Sequence, residues 1–323
     1  MKHTEKLHEI IIPNKNSIFT KSSRRNANTV ENVAHIIFVM CAFAAVIAVA
    51  SITLYMIING VPAIFKVGLK EILFSTVWKP TNDNPSYGIL YVILTSIFGT
   101  FFAILIGVPI GVGTAIFLTE IANKKVAAII QPAVELLAGI PSVIYGLLGI
   151  LILNPFMYKL ELFLFKDSNT HQFTGGANLI SAVLVLAIMI LPTVINICAS
   201  AIRSVPLSIK NSSLALGASK MQTIIRVILP AAKSGIITAI VLGIGRAIGE
   251  AMAISLVSGS AVNAPLPFNS VRFLTTAIVS EMAYAADTHK QVLFTIGLVL
   301  FVFIMIINIS LTKILKKGEQ RNA

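Results

Sequence analysis

The run NLISAVLVLAIMILPTVINICASAI, residues 178–202, contains no Asp, Glu, Lys or Arg in 25 consecutive positions. A helix needs about 20 apolar residues to cross the hydrocarbon core of a bilayer, so this run reads as a transmembrane span. Working outward, five further apolar runs are long enough to cross, at 33–58, 88–119, 132–158, 234–259 and 291–312. Of the 323 residues, 56% are hydrophobic and only 12% are charged, against about 25% charged in an ordinary globular domain. Length, composition and the six runs together predict an all-α polytopic membrane protein with six transmembrane helices. The first run carries Ala48-Val49-Ala50, which mimics a signal-peptide cleavage site. It continues apolar to Ile58, well beyond a signal core of about 7–15 residues, and is read as an uncleaved anchor.

The basic residues set the expected orientation. With both termini in the cytoplasm, the inner segments hold 17 Lys and Arg and the outer loops seven, with Arg246 left inside a span. The positive-inside rule favours that topology, so the net charge of +12 follows from membrane orientation and a nucleic-acid partner is not expected. The expected organisation is a disordered cytoplasmic tail at 1–32, a six-span domain at 33–316 and a cytoplasmic tail at 317–323. In the outer loop 59–87, Ile64, Phe65, Leu69, Ile72 and Leu73 recur at helical spacing and predict a short interfacial helix.

Two readings of chemistry are excluded by motif. No G-x-x-x-x-G-K-[ST] loop is present to cradle a nucleotide, so the chain is not expected to be an enzyme that hydrolyses ATP. The histidines at 3, 8, 35, 171 and 289 are scattered, with no H-E-x-x-H and no Cys/His pairing, so neither a metal site nor a cofactor is expected. Cys41 and Cys198 lie within apolar runs and read as packing residues.

The fifth run contains GIGRAIGEAMAIS, residues 243–255, with Arg246 and Glu250 four residues apart. A charge in a span costs about 2.5–3.5 kcal/mol on insertion scales and marks a functional candidate. Drawn as one helix over 237–253, Arg246 and Glu250 share a face with Ala239, Gly243, Gly249 and Ala253, which suits packing or a cavity rather than lipid. One reading is an i,i+4 ion pair that stabilises the helix. The other is a gated anion contact in the substrate pathway, because a guanidinium stays charged and donates two parallel bonds to an oxyanion. Glu135, just after Pro132, suits the first turn of the third span and reads as structural. Pro141, in Gly139-Ile140-Pro141, predicts a kink in the same span.

The inner loop 203–233 is too apolar for a tether and too interrupted for a span. Its pattern predicts two short amphipathic helices hinged at Gly217 and bounded by Pro206 and Pro230. Gly217, followed after nine residues by Val227-Ile228-Leu229-Pro230, resembles the coupling-loop motif of ABC-importer permeases. Asn211-Ser212-Ser213 stands where that family has Glu-Ala-Ala, and Val227 replaces an Ile. PAVELLAGIPSVIYG (132–146), GIGRAIGEAMA (243–253), VRFLTTAIVSEMAYA with the span after it (271–308), FSTVWKP (74–80) and GVPIGVGTAIFLTE (107–120) resemble the PstC-type permease of phosphate importers. The resemblance implies a type I importer core in the cell inner membrane, a pathway for inorganic phosphate, and a coupling loop that includes Asn211, Ser212, Ser213, Gly217, Leu229 and Pro230. It also implies four kinds of neighbour: a second homologous permease subunit, two ATP-binding subunits, an extracytoplasmic phosphate-binding protein and membrane lipid. The alternatives are a permease for another oxyanion, such as molybdate or sulfate, and an ion-coupled secondary transporter using Glu250.

The topology has a direct test. In intact cells, Ser86→Cys should react with a membrane-impermeant thiol reagent and Ser219→Cys should not; the reverse labelling would invert the orientation.

Overall fold

The computed structural model describes residues 21–168 and 170–319, and the chain divides into two compact units that meet between Tyr55 and Met56. Helix α1 runs Lys21–Val67 and includes the first apolar run. The first 20 residues of the tail expected to be disordered lie outside the described residues, but 21–32 are helical, contrary to that expectation. Once a long helix has nucleated, each further residue adds a hydrogen bond at little cost, so the helix propagates into polar sequence. Gly68, at φ +96°, then separates α1 from the six-residue α2, Leu69–Phe74. The interfacial helix expected around Ile64–Leu73 is therefore shorter. Ile64 and Phe65 belong to α1, and Ile72 is fully buried in the protein core. A two-stranded antiparallel ladder, β1 (Trp78–Lys79) with β2 (Ser86–Tyr87), leads into the membrane domain.

Next come α3 (Leu90–Ile116), closed by a π-helical turn at Phe117–Ile121, and α4 (Lys124–Gly139), capped by the Asn123 side chain. After α4 follow α5 (Ser142–Leu148), a second π turn at Gly149–Leu153 and α6 (Asn154–Leu164). Helix α7 (Leu179–Arg203) contains the charge-free run that ends at Ile202. Then come α8 (Leu207–Ala215), α9 (Lys220–Thr223), a third π turn at Ile224–Ile228, α10 (Leu229–Ala231), α11 (Lys233–Gly249), α12 (Met252–Val257), α13 (Leu274–Glu281) and α14 (Asp287–Glu319).

Five described helical stretches are long and apolar enough to cross a bilayer, and a sixth qualifies only as a bent pair, Lys220–Ala231 with Lys233–Gly249, angled at 70°. The third span is Ser142–Leu164 rather than 132–158, because α4 is a separate helix before it. Pro132 lies inside α4, so Glu135 is not in a first turn. It accepts a hydrogen bond from Gln131 Nε2 at 3.1 Å on an exposed face.

The core is built on α3 and α7. A β-carbon at Gly99 would lie 3.7 Å from Leu179 Cδ1, one at Gly107 would lie 2.7 Å from Ile190 Cδ1, and one at Gly111 would lie 2.8 Å from Val194 Cγ1. Both residue numbers rise together along the contact, so the helices run parallel. Glycine is required at Gly107 and Gly111 because the facing branched side chains occupy the space a methyl would need. Helix α11 joins them, since a β-carbon at Gly243 would touch Val194 Cγ2 at 3.0 Å. The parallel pair defines two ends. One carries residues 117–131 and 203–232; the other carries the β-ladder, residues 161–178 and the segment 259–290, whose backbone bonds Asn269 O to Leu179 N and Pro267 O to Ile180 N.

Gly107 and Gly113 lie on the same helix in opposite surroundings, since nothing approaches within 4 Å of a β-carbon at Gly113. Gly107→Val should therefore destabilise the folded chain by overpacking, typically about 1–3 kcal/mol. Gly113→Ala should leave stability within about 1 kcal/mol of the parent. Thermal unfolding of both variants in detergent checks this, and equal unfolding temperatures would contradict the packing.

Candidate functional site

The single helix expected over 237–253 is interrupted. Helix α11 ends at Gly249, and Glu250 takes extended backbone angles, φ −73° and ψ 129°. Seventeen residues of α11 span roughly 26 Å at 1.5 Å per residue, short of a full crossing. The backbone turns at Glu250 because its carboxylate serves the next helix: Oε1 accepts from Ala253 N at 2.9 Å, as an N-cap side chain does. Its carbonyl oxygen, freed from α11, accepts from Thr275 Oγ1 at 2.6 Å. Glu250 is 9% exposed.

The i,i+4 ion pair between Arg246 and Glu250 is consequently absent among the described residues, whose ion pairs are His171–Glu161, Lys210–Glu120, Arg272–Glu281 and His289–Glu281. That spacing brings two side chains together only while both residues keep helical angles. Arg246 sits in the last turn of α11, half-buried, with a buried Nε that has no hydrogen-bond partner. The small-residue face also divides: Ala239, Gly243 and Ala253 are buried, whereas Gly249 faces open space. Ile248, which is not among the residues of that face, is buried as well.

A second interruption adjoins the first. Pro141 stands not at a kink within one helix but at a break: α4 stops at Gly139, Ile140 is extended, and α5 begins after Pro141. Proline has no N–H to offer the carbonyl four residues before it. That carbonyl belongs to Leu137, and it accepts instead from Tyr145 Oη at 2.8 Å and from Ile140 N at 3.3 Å. Helices α5 and α12, which follow the two breaks, pack closely through glycine. A β-carbon at Gly146 would lie 2.9 Å from Ala253 Cα, and one at Gly149 would lie 2.4 Å from Val257 Cγ1. Ile140 packs against the core cluster that holds Ala247 and Ala253, and the contact of Gly146 with Ala253 makes the helices after the two breaks neighbours. Irregular backbone at membrane depth is tolerated where it is buried in protein or borders a water-filled cavity. The arrangement thus presents, beside two broken spans, a guanidinium whose buried Nε has no hydrogen-bond partner among the described residues.

At the end carrying residues 203–232, the hinge expected at Gly217 has φ +84°, a conformation open to glycine and strained for other residues. Helices α8 and α9 flank it, and α9 starts in a capping box formed by Ser219 and Gln222. Pro206 caps α8 as expected, but Pro230 lies inside α10, just before the 70° bend, instead of ending the helical pair. Asn211 and Ser212 are exposed, and Ser213 Oγ shares a hydrogen bond with Thr223 Oγ1 at 3.0 Å. Leu229 is half-buried and Pro230 exposed. Leu207 (72% exposed) and Leu216 (88%) stand out as apolar groups on the surface.

The opposite end holds two buried carboxylates that the sequence did not single out. Glu161, fully buried, accepts from Thr174 N at 2.9 Å and lies 2.8 Å from His171 Nε2, while His171 stacks on Phe165. Glu281 pairs with Arg272, accepts from Trp78 Nε1 at 3.1 Å and lies 2.7 Å from His289 Nε2. Tyr87 flanks Trp78 and His289, and burial pushes its phenol above the ordinary value. These partners lie as many as 203 residues apart. The only signal in the sequence was the presence of isolated Glu and His residues in mostly apolar loops.

Comparisons with known proteins place this geometry in context. Residues 107–319 match the family described as binding-protein-dependent transport system inner membrane component. The chain is 39% identical over 295 residues, covering 88% of it and 92% of the relative, to a protein of Bacillus subtilis strain 168 named probable ABC transporter permease protein YqgH. It is 31% identical over 314 residues, covering 94% and 99%, to the phosphate transport system permease protein PstC of Haemophilus influenzae. Its fold is similar to that of an inward-facing MetNI methionine ABC transporter chain, with a TM-score of 0.50 and 20% identity over 72% of this chain and 94% of that one.

The carboxylate at the Trp78 end has a testable weight. Glu281→Ala would leave Arg272 without its counter-charge, and breaking a buried pair in this way costs about 3–5 kcal/mol. Trp78→Phe removes the indole N–H but keeps the ion pair, and should cost less. Thermal unfolding in detergent ranks the two; the opposite order would refute the assignment of Glu281 as the centre of the network.

Proposed function

The chain belongs to the family of binding-protein-dependent transport system inner membrane components, and on that footing we propose that it forms the pathway for inorganic phosphate in an ATP-driven importer. The observation that carries the reading is Arg246, whose buried Nε lacks a partner at the end of a half-span. A guanidinium keeps its charge at any physiological pH and can donate two parallel hydrogen bonds to a tetrahedral oxyanion. Glu250 does not neutralise it by contact, being engaged with α12. Its charge at the end of α11 moderates the attraction, so that an anion held by Arg246 can leave again. The names of the relatives favour phosphate over molybdate or sulfate. Membership of a binding-protein-dependent family weighs against a stand-alone ion-coupled carrier.

Membership implies binding-protein and ATPase partners in general. The finer assembly proposed is a second homologous permease, two ATP-binding subunits that hydrolyse the nucleotide, and an extracytoplasmic phosphate-binding protein. Residues 203–233 are the segment proposed to seat on the ATPase, through Asn211, Ser212, Ser213, the Gly217 hinge and the Leu229-Pro230 turn. The exposed Leu207 and Leu216 support this, because an apolar surface of this kind needs a partner's groove or lipid to cover it. The excess of basic residues in 1–32, 120–131, 203–233 and 313–323 supports an orientation with both termini on the ATPase side.

Arg246→Gln should lower phosphate uptake by about tenfold or more while the complex still assembles, the scale of one lost charge-assisted hydrogen bond of about 1.5–3 kcal/mol. Arg246→Lys should recover little, because an ammonium keeps the charge and loses the planar fork. Uptake is measured in vesicles at matched protein level, and undiminished uptake by Arg246→Gln would overturn the anion contact.

A further inference from the structure

We propose that Lys210 and Glu120 form a strap through which movement of α8 is delivered directly to α3, a mechanical link beside the covalent ones through α9 and α10 and back to α7. The proposal rests on the reading that residues 203–233 seat on an ATPase subunit, and names positioning residues for that coupling. Lys210 Nζ donates to Glu120 Oε2 across 90 residues of sequence. The side chain of Glu120 is only 9% exposed and that of Lys210 27%. Fully exposed ion pairs contribute little, but this carboxylate is largely withdrawn from water and depends on its partner.

The surroundings of the pair give it a mechanical role. None of α8's nine residues is buried, and two side-chain hydrogen bonds join it to the rest of the described chain, Ser213 with Thr223 and Lys210 with Glu120. The first stays within the same inner segment; the second reaches a membrane-spanning helix. Glu120 sits in the π turn Phe117–Ile121 that ends α3. Such turns are uncommon inside α-helices and are frequent at functional sites. From there α3 continues as unbroken helix to its contact with α7, where Gly111 meets Val194. The other γ-methyl of Val194 faces Gly243 of α11, three residues before Arg246. A pull on Glu120 is therefore transmitted through close-packed contacts, with no slack left by intervening side chains, to the half-span that carries the guanidinium.

The covalent route differs in kind. Towards α11 it runs through Gly217 at φ +84° and the 70° bend between α10 and α11, and towards α7 through the turn at Ser204-Val205-Pro206, three places where the backbone changes direction. A strap that bypasses all three gives α8 a hold on the domain that does not depend on the stiffness of those turns.

The test uses the assembled importer in proteoliposomes, measuring phosphate uptake and ATP hydrolysis together with disulfide cross-linking of Leu216→Cys to the ATPase subunit. Lys210→Glu and Glu120→Lys should each lower uptake per ATP hydrolysed by about fivefold or more, within the range of ordinary coupling free energies. The cross-link should persist, and the double swap should recover most of the lost uptake. Lys210→Met, which removes the charge and keeps the length, should lower the ratio without loss of assembled complex, and serves if the reversals assemble poorly. An unchanged ratio in Lys210→Met, or a swap as uncoupled as the single reversals, would overturn the strap alone when the cross-link is present. Absence of the cross-link in the parent background would overturn the docking reading and the strap with it.

Discussion

The parallel contact of α3 with α7 is the constraint on which the other elements depend. In a bilayer the lipid chains are as apolar as leucine, so helices are held by close packing rather than by expulsion of apolar surface from water. Gly107 and Gly111 bring the α3 backbone against Ile190 and Val194, and a methyl at either would overlap those side chains. Helix α11 uses the same device, with Gly243 against Val194 and Gly235 against Ala201. Val194 thus keys three helices together. Because α3 and α7 run in the same direction, the chain between them must return across the domain, and that return is where the first break, at Gly139-Ile140-Pro141, is placed.

The charged groups divide into two classes. Glu161, Glu281 and Glu120 are each largely buried and each sit against a cationic group or a histidine. Such pairs stabilise little relative to an apolar core, yet breaking one is costly, so they fix which loops meet rather than how firmly the domain holds. Arg246 belongs to the other class. It has a buried nitrogen without a partner, an arrangement that costs stability and is retained where function requires it. Glu250 is the group that would have neutralised it in a continuous helix. Its engagement with Ala253 N keeps the two apart.

The two breaks reinforce each other. Each frees backbone groups inside a span, and each finds replacements from a neighbouring element: Tyr145 Oη for the Leu137 carbonyl, Thr275 Oγ1 for the Glu250 carbonyl. The helices that follow them, α5 and α12, pack through Gly146 and Gly149 closely enough to be positioned as a unit. A guanidinium on the shoulder of that unit is held by close-packed elements, whereas the hinge at Gly217 has nothing within 4 Å of where a β-carbon would stand.

The apolar runs, the basic-residue asymmetry and the special positions Gly217 and Pro141 were legible in the sequence, because each rests on local physics. About 20 apolar residues suffice to cross a bilayer, and a proline withholds its N–H whatever surrounds it. Three features were not legible. The break at Glu250 depends on Thr275, 25 residues on, accepting the role of partner to a freed carbonyl. The pairing of Trp78 with Glu281 and of Lys210 with Glu120 depends on which loops the α3–α7 contact brings to the same end. The burial of Ile248 and exposure of Gly249 depend on where α11 stops. Periodicity assigns faces to a helix only while the helix continues, and whether it continues was decided by hydrogen-bond partners distant in sequence.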